Sequence, residues 1–263
     1  MPELAEVEYY RRVWDAGKGG RILRVHLHPE KRVFRGTDVD LIQSLKATTL
    51  RSSEASGKQM LFRFSKDFWL GIHLGMTGRL SVATADYTPA RHDHLVLYQP
   101  KRALVFTDAR QFGRVLAARG KEIPAWWAAI GPAVTSKEFT PRRMEDFLRG
   151  HDRLPIKAAL LLQKGFPGIG NWMADEILWR AGISPRRLVK KVAPSAMGSL
   201  WKETRYVARR AMEIVGKDFS DPPPGWLFHE RWSPRGLCPK HGAKLKRATV
   251  GGRTTAWCAK CQK

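Results

Sequence analysis

Gly165-Phe166-Pro167-Gly168-Ile169-Gly170-Asn171-Trp172-Met173-Ala174-Asp175-Glu176 decides how the second half of the chain is read. Its glycines let backbone N–H groups come close to another group, and the run leads straight into an amphipathic segment over Asn171–Ala181. A helix starting at Asn171 turns the positive end of its dipole toward that glycine turn, a suitable place for a phosphate, with the Asn171 amide as an added donor. An ordinary turn between two helices carries the same pattern. The stretch therefore predicts a helix–turn–helix arrangement and leaves its ligand open.

Helical patterning extends to either side. Thr140-Pro141 reads as an N-cap followed by proline at the first helical position, and Pro155–Gln163 and Ser195–Val215 are further helices. Before residue 139 the period changes. Residues 3–17 form a helix on the spacing of Leu4, Val7, Val13 and Trp14, closed by Gly17. Short runs follow at Arg21–His28, Met60–Phe64, Phe68–Leu74, Gly78–Ala83, His94–Tyr98 and Ala103–Thr107, with Gly, Pro, Asp or Lys between them, which predicts an antiparallel β-sandwich. The expected class is α+β. Residues 1–119 form an N-terminal helix plus sandwich, 120–138 (with Pro124, Gly131 and Pro132) a linker, 139–230 a helical domain and 231–263 a small cysteine-bearing module.

With 263 residues, 43% of them hydrophobic, the chain can build one large or two modest cores. Its formal charge of +23 predicts a polyanionic partner, because each Lys or Arg that neutralises a phosphate releases a condensed counterion. No apolar run reaches the ~18 residues of a membrane span, and no secretory signal is expected at the N-terminus. The three cysteines all fall in the last tenth of the chain. With His241 they form C-x2-H-x16-C-x2-C over Cys238, His241, Cys258 and Cys261, two close ligand pairs that match a tetrahedral zinc site with no open position. The intervening segment is basic, with Lys244, Lys246, Arg247 and Arg253. A zinc-pinned hairpin with an outward arginine suits a DNA backbone.

Taken in order, these motifs resemble the formamidopyrimidine-DNA glycosylase/endonuclease VIII family, and within it the formamidopyrimidine branch. Pro2-Glu3-Leu4-Ala5-Glu6-Val7-Glu8 is similar to the family's opening P-E-L-P-E-V-E. His73-Leu74-Gly75-Met76-Thr77-Gly78 and Arg91-His92-Asp93-His94 resemble its sandwich motifs, and Asp108-Ala109-Arg110-Gln111-Phe112-Gly113 its lesion-site loop. Gly168 through Glu176 resembles the helix–two-turns–helix signature, and Arg253 through Gln262 the zinc hairpin.

The resemblance implies a monomeric, bifunctional DNA glycosylase and AP lyase of base excision repair. It would act on oxidised or ring-opened bases in damaged double-stranded DNA, carry one structural Zn2+, and work in a bacterial cytoplasm beside the nucleoid or in a eukaryotic nucleus. Removal of Met1 would leave Pro2 as a terminal secondary amine, which titrates near pH ~8 where lysine holds its proton to about 10.4. Glu3 is then the acid/base at the sugar ring oxygen, Glu6 supports the site, and Lys58, on an expected hairpin turn, contacts DNA beside the lesion. Extruding a base leaves a hole, which Met76, Arg110 and Phe112 would fill. His92, Arg110, Asn171 and Arg253 would grip the backbone. Blander roles stay open to the same residues: a helix-starting proline at Pro2, a first-turn carboxylate at Glu3, a solvated turn lysine at Lys58, core packing at Met76 and Phe112.

Two departures from the family pattern matter. His241 stands where a cysteine is usual, which zinc accepts. The stretch between Val215 and Cys238 is short and proline-rich where readers of 8-oxoguanine carry a longer loop, so weak excision of that lesion is expected. Two rival readings are a catalytically weak or silent damage-binding member, favoured if Met1 is retained, and a basic zinc protein of RNA, for which no RNA-stacking motif is present.

Overall fold

The computed structural model describes residues 1–28 and 32–263. Two compact units emerge: Met1–Pro2 with Glu6–Ile130, and Glu3–Ala5 with Gly131–Lys263. The helix α1 (Leu4–Asp15) opens the chain, and its first residues group with the second unit.

The first unit is the antiparallel sandwich. Its elements are β1 (Arg24–Leu27), α2 (Val39–Gln43), β2 (Leu50–Ser56), β3 (Gln59–Phe64), β4 (Phe68–His73), β5 (Arg79–Ala83), β6 (Asp93–Gln99), β7 (Arg102–Thr107), β8 (Arg114–Arg119) and α3 (Ala125–Ala128). Two four-stranded sheets form, in the orders β1-β6-β7-β5 and β2-β3-β4-β8. Phe62, Phe64, Leu70 and Ile72 from one sheet and Leu95, Leu97, Leu104 and Phe106 from the other share a core with Val7 and Trp14 of α1. Trp14 packs on Phe62 at 5.0 Å between ring centroids and donates Nε1–H to the Ser81 carbonyl.

All six expected runs overlap β-strands. β2 and β8 were not expected, and both are edges of their sheet. Leu-Arg-Ser-Ser-Glu-Ala-Ser and Arg-Val-Leu-Ala-Ala-Arg each bury one residue fully and are diluted by serine or alanine, so they carry a weak period-2 signal. The segment read as a linker holds α3, whose Trp127 packs with Leu61 and Trp69 on the outer face of the second sheet.

The second unit contains α4 (Pro141–Arg149), α5 (Ile156–Leu160), α6 (Asn171–Arg180), α7 (Pro194–Asp218), α8 (Leu227–Glu230), β9 (Lys246–Val250) and β10 (Arg253–Trp257). Thr140 does cap α4: its side-chain oxygen accepts the Arg143 N–H at 3.2 Å. α6 is buried along nearly its whole length, with Met173, Ile177 and Leu178 in a core shared with Phe139, Phe166 and Val207. α7 runs three residues past its expected end at Val215, to Asp218, and Phe219 stops it in the left-handed region at φ 66°.

β9 and β10 form a hairpin in register Val250↔Arg253 through Lys246↔Trp257. A charged network holds it to the helices. Lys157 Nζ, fully buried, donates to Asp175 Oδ1 at 2.6 Å and Thr255 Oγ1 at 2.7 Å, while Arg231 Nη2 donates to Asp175 Oδ2 at 2.7 Å. Burial pushes the Lys157 ammonium below its ordinary range, against the pull of Asp175. One carboxylate thus serves two buried cations, and removing it strands both. Asp175→Leu is expected to cost about 3–5 kcal/mol in urea unfolding, whereas Lys157→Met, which leaves the Asp175–Arg231 pair intact, costs clearly less. Equal costs for the two variants would show that the network is not organised around Asp175.

Candidate functional site

In the sandwich unit the candidate residues gather at one end of the strands. The registers Gln59↔His73↔Arg114 in one sheet and Asp93↔Thr107↔Arg79 in the other define that end. Gly57 and Lys58 make the β2–β3 turn there, and Lys58 Nζ lies 3.9 Å from Met1 Sδ, which places the lysine beside the start of the chain and Pro2. Pro2 and Glu6 are both half-buried.

Three loops meet at the same end. Asp108 joins two of them: its Oδ1 accepts from Thr77 Oγ1 at 2.6 Å and its Oδ2 from the Gly113 N–H at 2.7 Å. The Asp108 N–H donates to the His92 carbonyl at 3.0 Å, which adds the third. Contact is so close that a Cβ on Gly75, at φ +63°, would fall 2.4 Å from the Gly113 nitrogen. Both the left-handed backbone and the space therefore require glycine. Phe112 ends up 39% exposed, with the Arg110 guanidinium 4.7 Å from its ring centroid, and Met76 is half-buried in the facing loop. Gln111 between them holds φ 54°, a strained value for a side-chain-bearing residue. The structure thus brings Met76, His92, Arg110 and Phe112 together.

His73 was quoted within a motif but not singled out, and the structure gives it a defined part. Its Nδ1 accepts the Gly75 N–H at 3.0 Å, so the neutral ring carries its proton on Nε2, a donor for an acceptor oxygen. Burial, then the charges of Lys58 and Arg35, lower its pKa from 6.5. A cleft of about 300 Å³ opens beside it, with Arg35, Arg114, Phe112 and Trp126 in its lining. Asp108, likewise unassigned from sequence, is the tie that shapes the loops. Its signal was local: an Asp two residues before one N–H and five before another that it accepts.

In the second unit Glu3 is the organising group. Buried to 3% exposure, it accepts the Trp172 N–H on Oε1 at 2.9 Å and the Gly170 and Met173 N–H groups on Oε2 at 3.0 and 3.1 Å. The first turn of α6, read from sequence as a place for a phosphate, therefore takes the chain's own carboxylate. A Cβ at Gly170 would fall 2.2 Å from Glu3 Cδ, so only glycine fits there. Asn171 follows, half-buried, and its Nδ2 donates to the Thr254 carbonyl at 3.0 Å, next to the exposed Arg253 at the hairpin turn.

Cys238, His241, Cys258 and Cys261 converge, with one ligand atom from each all within 4.8 Å of one another. His241 Nε2 lies 3.8 Å from Cys238 Sγ and 3.9 Å from Cys258 Sγ. A tetrahedral metal about 2.3 Å from sulfur and ~2.0–2.1 Å from nitrogen sets edges of roughly 3.6–3.8 Å, so the quartet fits such an ion. The Cys258 N–H is held by Gln262 Oε1 at 2.8 Å and the Cys238 N–H by the Ala243 carbonyl at 2.7 Å, which shapes both ligand turns.

Comparison with known proteins matches this arrangement. Residues 1–115 match the formamidopyrimidine-DNA glycosylase N-terminal domain, and residues 130–221 the H2TH domain of the same proteins. The formamidopyrimidine-DNA glycosylase of Laribacter hongkongensis is 32% identical over 274 residues, covering both chains entirely, and that of Thermus thermophilus is 32% identical over 277, covering 100% of this chain and 98% of its own. Among solved structures, Lactococcus lactis Fpg (MutM) with Fapy-dG containing DNA superposes at a TM-score of 0.89 with 27% identity, covering 99% of this chain and 100% of that one. MutM with carbocyclic 8-oxo-G containing DNA gives 0.88 and 27%, with full coverage of both. The chain belongs to the formamidopyrimidine-DNA glycosylase family.

The environment of His73 has a pH signature. Its folded-state pKa lies below 6.5, so its neutral form contributes stability that is present above pH 6.5 and lost as the pH falls. A 15N-edited NMR titration is expected to show the Nε2–H tautomer persisting below pH 6.5. Protonation at or above that value would contradict the burial and the Gly75 bond.

Proposed function

We propose that this chain is a bifunctional DNA glycosylase and AP lyase of base excision repair whose nucleophile is Pro2 after removal of Met1. The observation that carries the reading is kinship with formamidopyrimidine-DNA glycosylases along the whole chain, the start included. The lone pair of the terminal amine attacks C1′ of an extruded damaged nucleotide, the bond to the base breaks, and opening of the sugar ring leaves an iminium. That electron sink acidifies the C2′ proton, and its removal expels the 3′ phosphate.

Glu3 is the acid/base for the ring oxygen, and its clamp on α6 holds the residue after the nucleophile in place. Glu6 supports the site. Lys58 contacts DNA beside the lesion, while His92, Arg110, Asn171 and Arg253 hold the backbone of damaged duplex DNA. Met76, Arg110 and Phe112 fill the space left by the base; the exposed Phe112 ring with the Arg110 guanidinium above it suits that task. The Cys238, His241, Cys258 and Cys261 quartet holds one zinc ion. With four protein ligands and no open position, the zinc shapes the hairpin and takes no part in the reaction.

Borohydride reduction is expected to cross-link the Met1-processed protein to an abasic duplex, with Pro2→Gly trapping far less. Glu3→Gln is expected to lose about 10²–10⁴-fold on an intact lesion but much less on a pre-formed abasic site, where no base must leave. Efficient trapping by a protein that still carries Met1, measured by intact mass, would rule out Pro2.

Lesion choice follows from the chain after α7. Prolines 222, 223 and 224 offer no N–H, and His229 Nε2 sits 2.8 Å from the Pro222 carbonyl and 3.2 Å from that of Pro223. A donor-rich cover for an extruded base is hard to build from this segment. Single-turnover excision of 8-oxoguanine is expected to be slower than that of ring-opened purines or oxidised pyrimidines in matched duplexes. An equal or faster rate would show that this segment does not control recognition.

A further inference from the structure

Away from these residues, the second unit carries a cleft of about 570 Å³ lined by Arg186, Arg187, Lys191, Lys246 and Lys263 around Trp257. Among the described residues, no Asp or Glu side chain lines it. Among the described residues, no ion pair joins any of the five cations to a carboxylate. Like charges in one concavity repel each other and focus a positive field into it, which a bound polyanion relieves. The walls are held in place by backbone pairing. The Lys263 N–H donates to the Gly182 carbonyl at 3.0 Å, the Ser184 N–H to the Lys263 carbonyl at 2.8 Å, and Gln262 Nε2 to the Ile183 carbonyl at 3.0 Å.

Two rulers separate this cleft from the surface assigned to the lesion-bearing duplex. Asn171 starts α6, and Arg186, Arg187 and Lys191 come after its far end; its ten residues span about 15 Å. Arg253 starts β10 and Trp257 ends it, about 14 Å on. Asn171 and the hairpin turn meet each other through Thr254, so both measures run from the same end.

We propose that the cleft is a second site for the phosphodiester backbone of DNA. It would hold a segment other than the one at Asn171 and Arg253, so that a protein bound to one duplex captures another before releasing the first. The proposal rests on the reading that the Asn171–Arg253 end grips DNA. Phosphates need only charge and N–H donors, both present here. An acidic protein segment would also want exposed apolar anchors, and Trp257, the one aromatic in the lining, is only 6% exposed.

The test uses the full-length, zinc-loaded protein on a fluorescent duplex with a non-cleavable abasic analogue. Its dissociation is followed against rising concentrations of undamaged duplex. The wild-type rate is expected to climb with competitor, the signature of direct transfer. In the variant R186Q/K191Q/K263Q, all at exposed positions, it is expected to stay flat, with cleavage of a true abasic duplex at saturating enzyme unchanged. Loss of three phosphate contacts should flatten the log–log salt dependence of second-duplex capture by about 2.7, at ~0.9 each. A wild-type rate independent of competitor, or a variant that keeps the dependence, overturns the proposal. Slowed cleavage in the variant overturns it too, by placing the cleft in the lesion footprint. Acceleration by polyglutamate equal to that by DNA of matched charge assigns the cleft to acidic peptides instead. Absence of any abasic-site cleavage by the wild type is a different failure, that of the glycosylase reading itself.

Discussion

The carboxylate of Glu3 sits on the first turn of α6 and takes three backbone N–H groups that a helix start leaves without partners. Much of the second unit follows from that placement. Gly170 must lack a side chain because the Glu3 carboxyl occupies the space, and the Leu4 N–H donates to the Gly168 carbonyl at 3.0 Å, adding a second tie between chain start and glycine turn. Further along the same helix, Asp175 gathers Lys157 and Arg231 and through them the hairpin strand at Thr255. One buried helix thus registers the residue after the proposed nucleophile at its first turn and the β9–β10 hairpin at its second.

The sandwich solves a similar problem with a different acid. Two of its loops carry glycines and the third, residues 84–92, carries none, and nothing in the residues of the three compels them to meet. Asp108 does so by accepting from Thr77 in one loop and Gly113 in its own, while its backbone pairs with His92 in the third. Phe112 is left 39% exposed on the loop that Asp108 ties down. A rigid loop platform is what an aromatic wedge needs if it is to displace a stacked base rather than fold back.

Much of what the chain discloses by itself rests on spacing between near neighbours. Thr140-Pro141 as a cap, Gly57-Lys58 as a hairpin turn, the order of sandwich and helices, and the pairing of Cys238 with His241 and Cys258 with Cys261 all depend on residues a few positions apart, and the structure contains each of them. The motifs that carried the family resemblance are likewise contiguous. Strands β2 and β8 escaped because serine and alanine dilute their alternation and each buries one residue fully.

Other features had no local signature at all. Glu3 finds its partners 167, 169 and 170 positions away, and Lys157 meets Thr255 across 98, so neither the burial of these charges nor their stabilisation is visible in the residues beside them. The placing of Lys58 and Arg35 near His73 and the basic cleft around Trp257 belong to the same class. Chain-local periodicity sets which segments become helices or strands and which side chains face the core. Burial of a charge is tolerable only where a distant opposite charge or a row of N–H donors arrives with it, and folding alone brings those together.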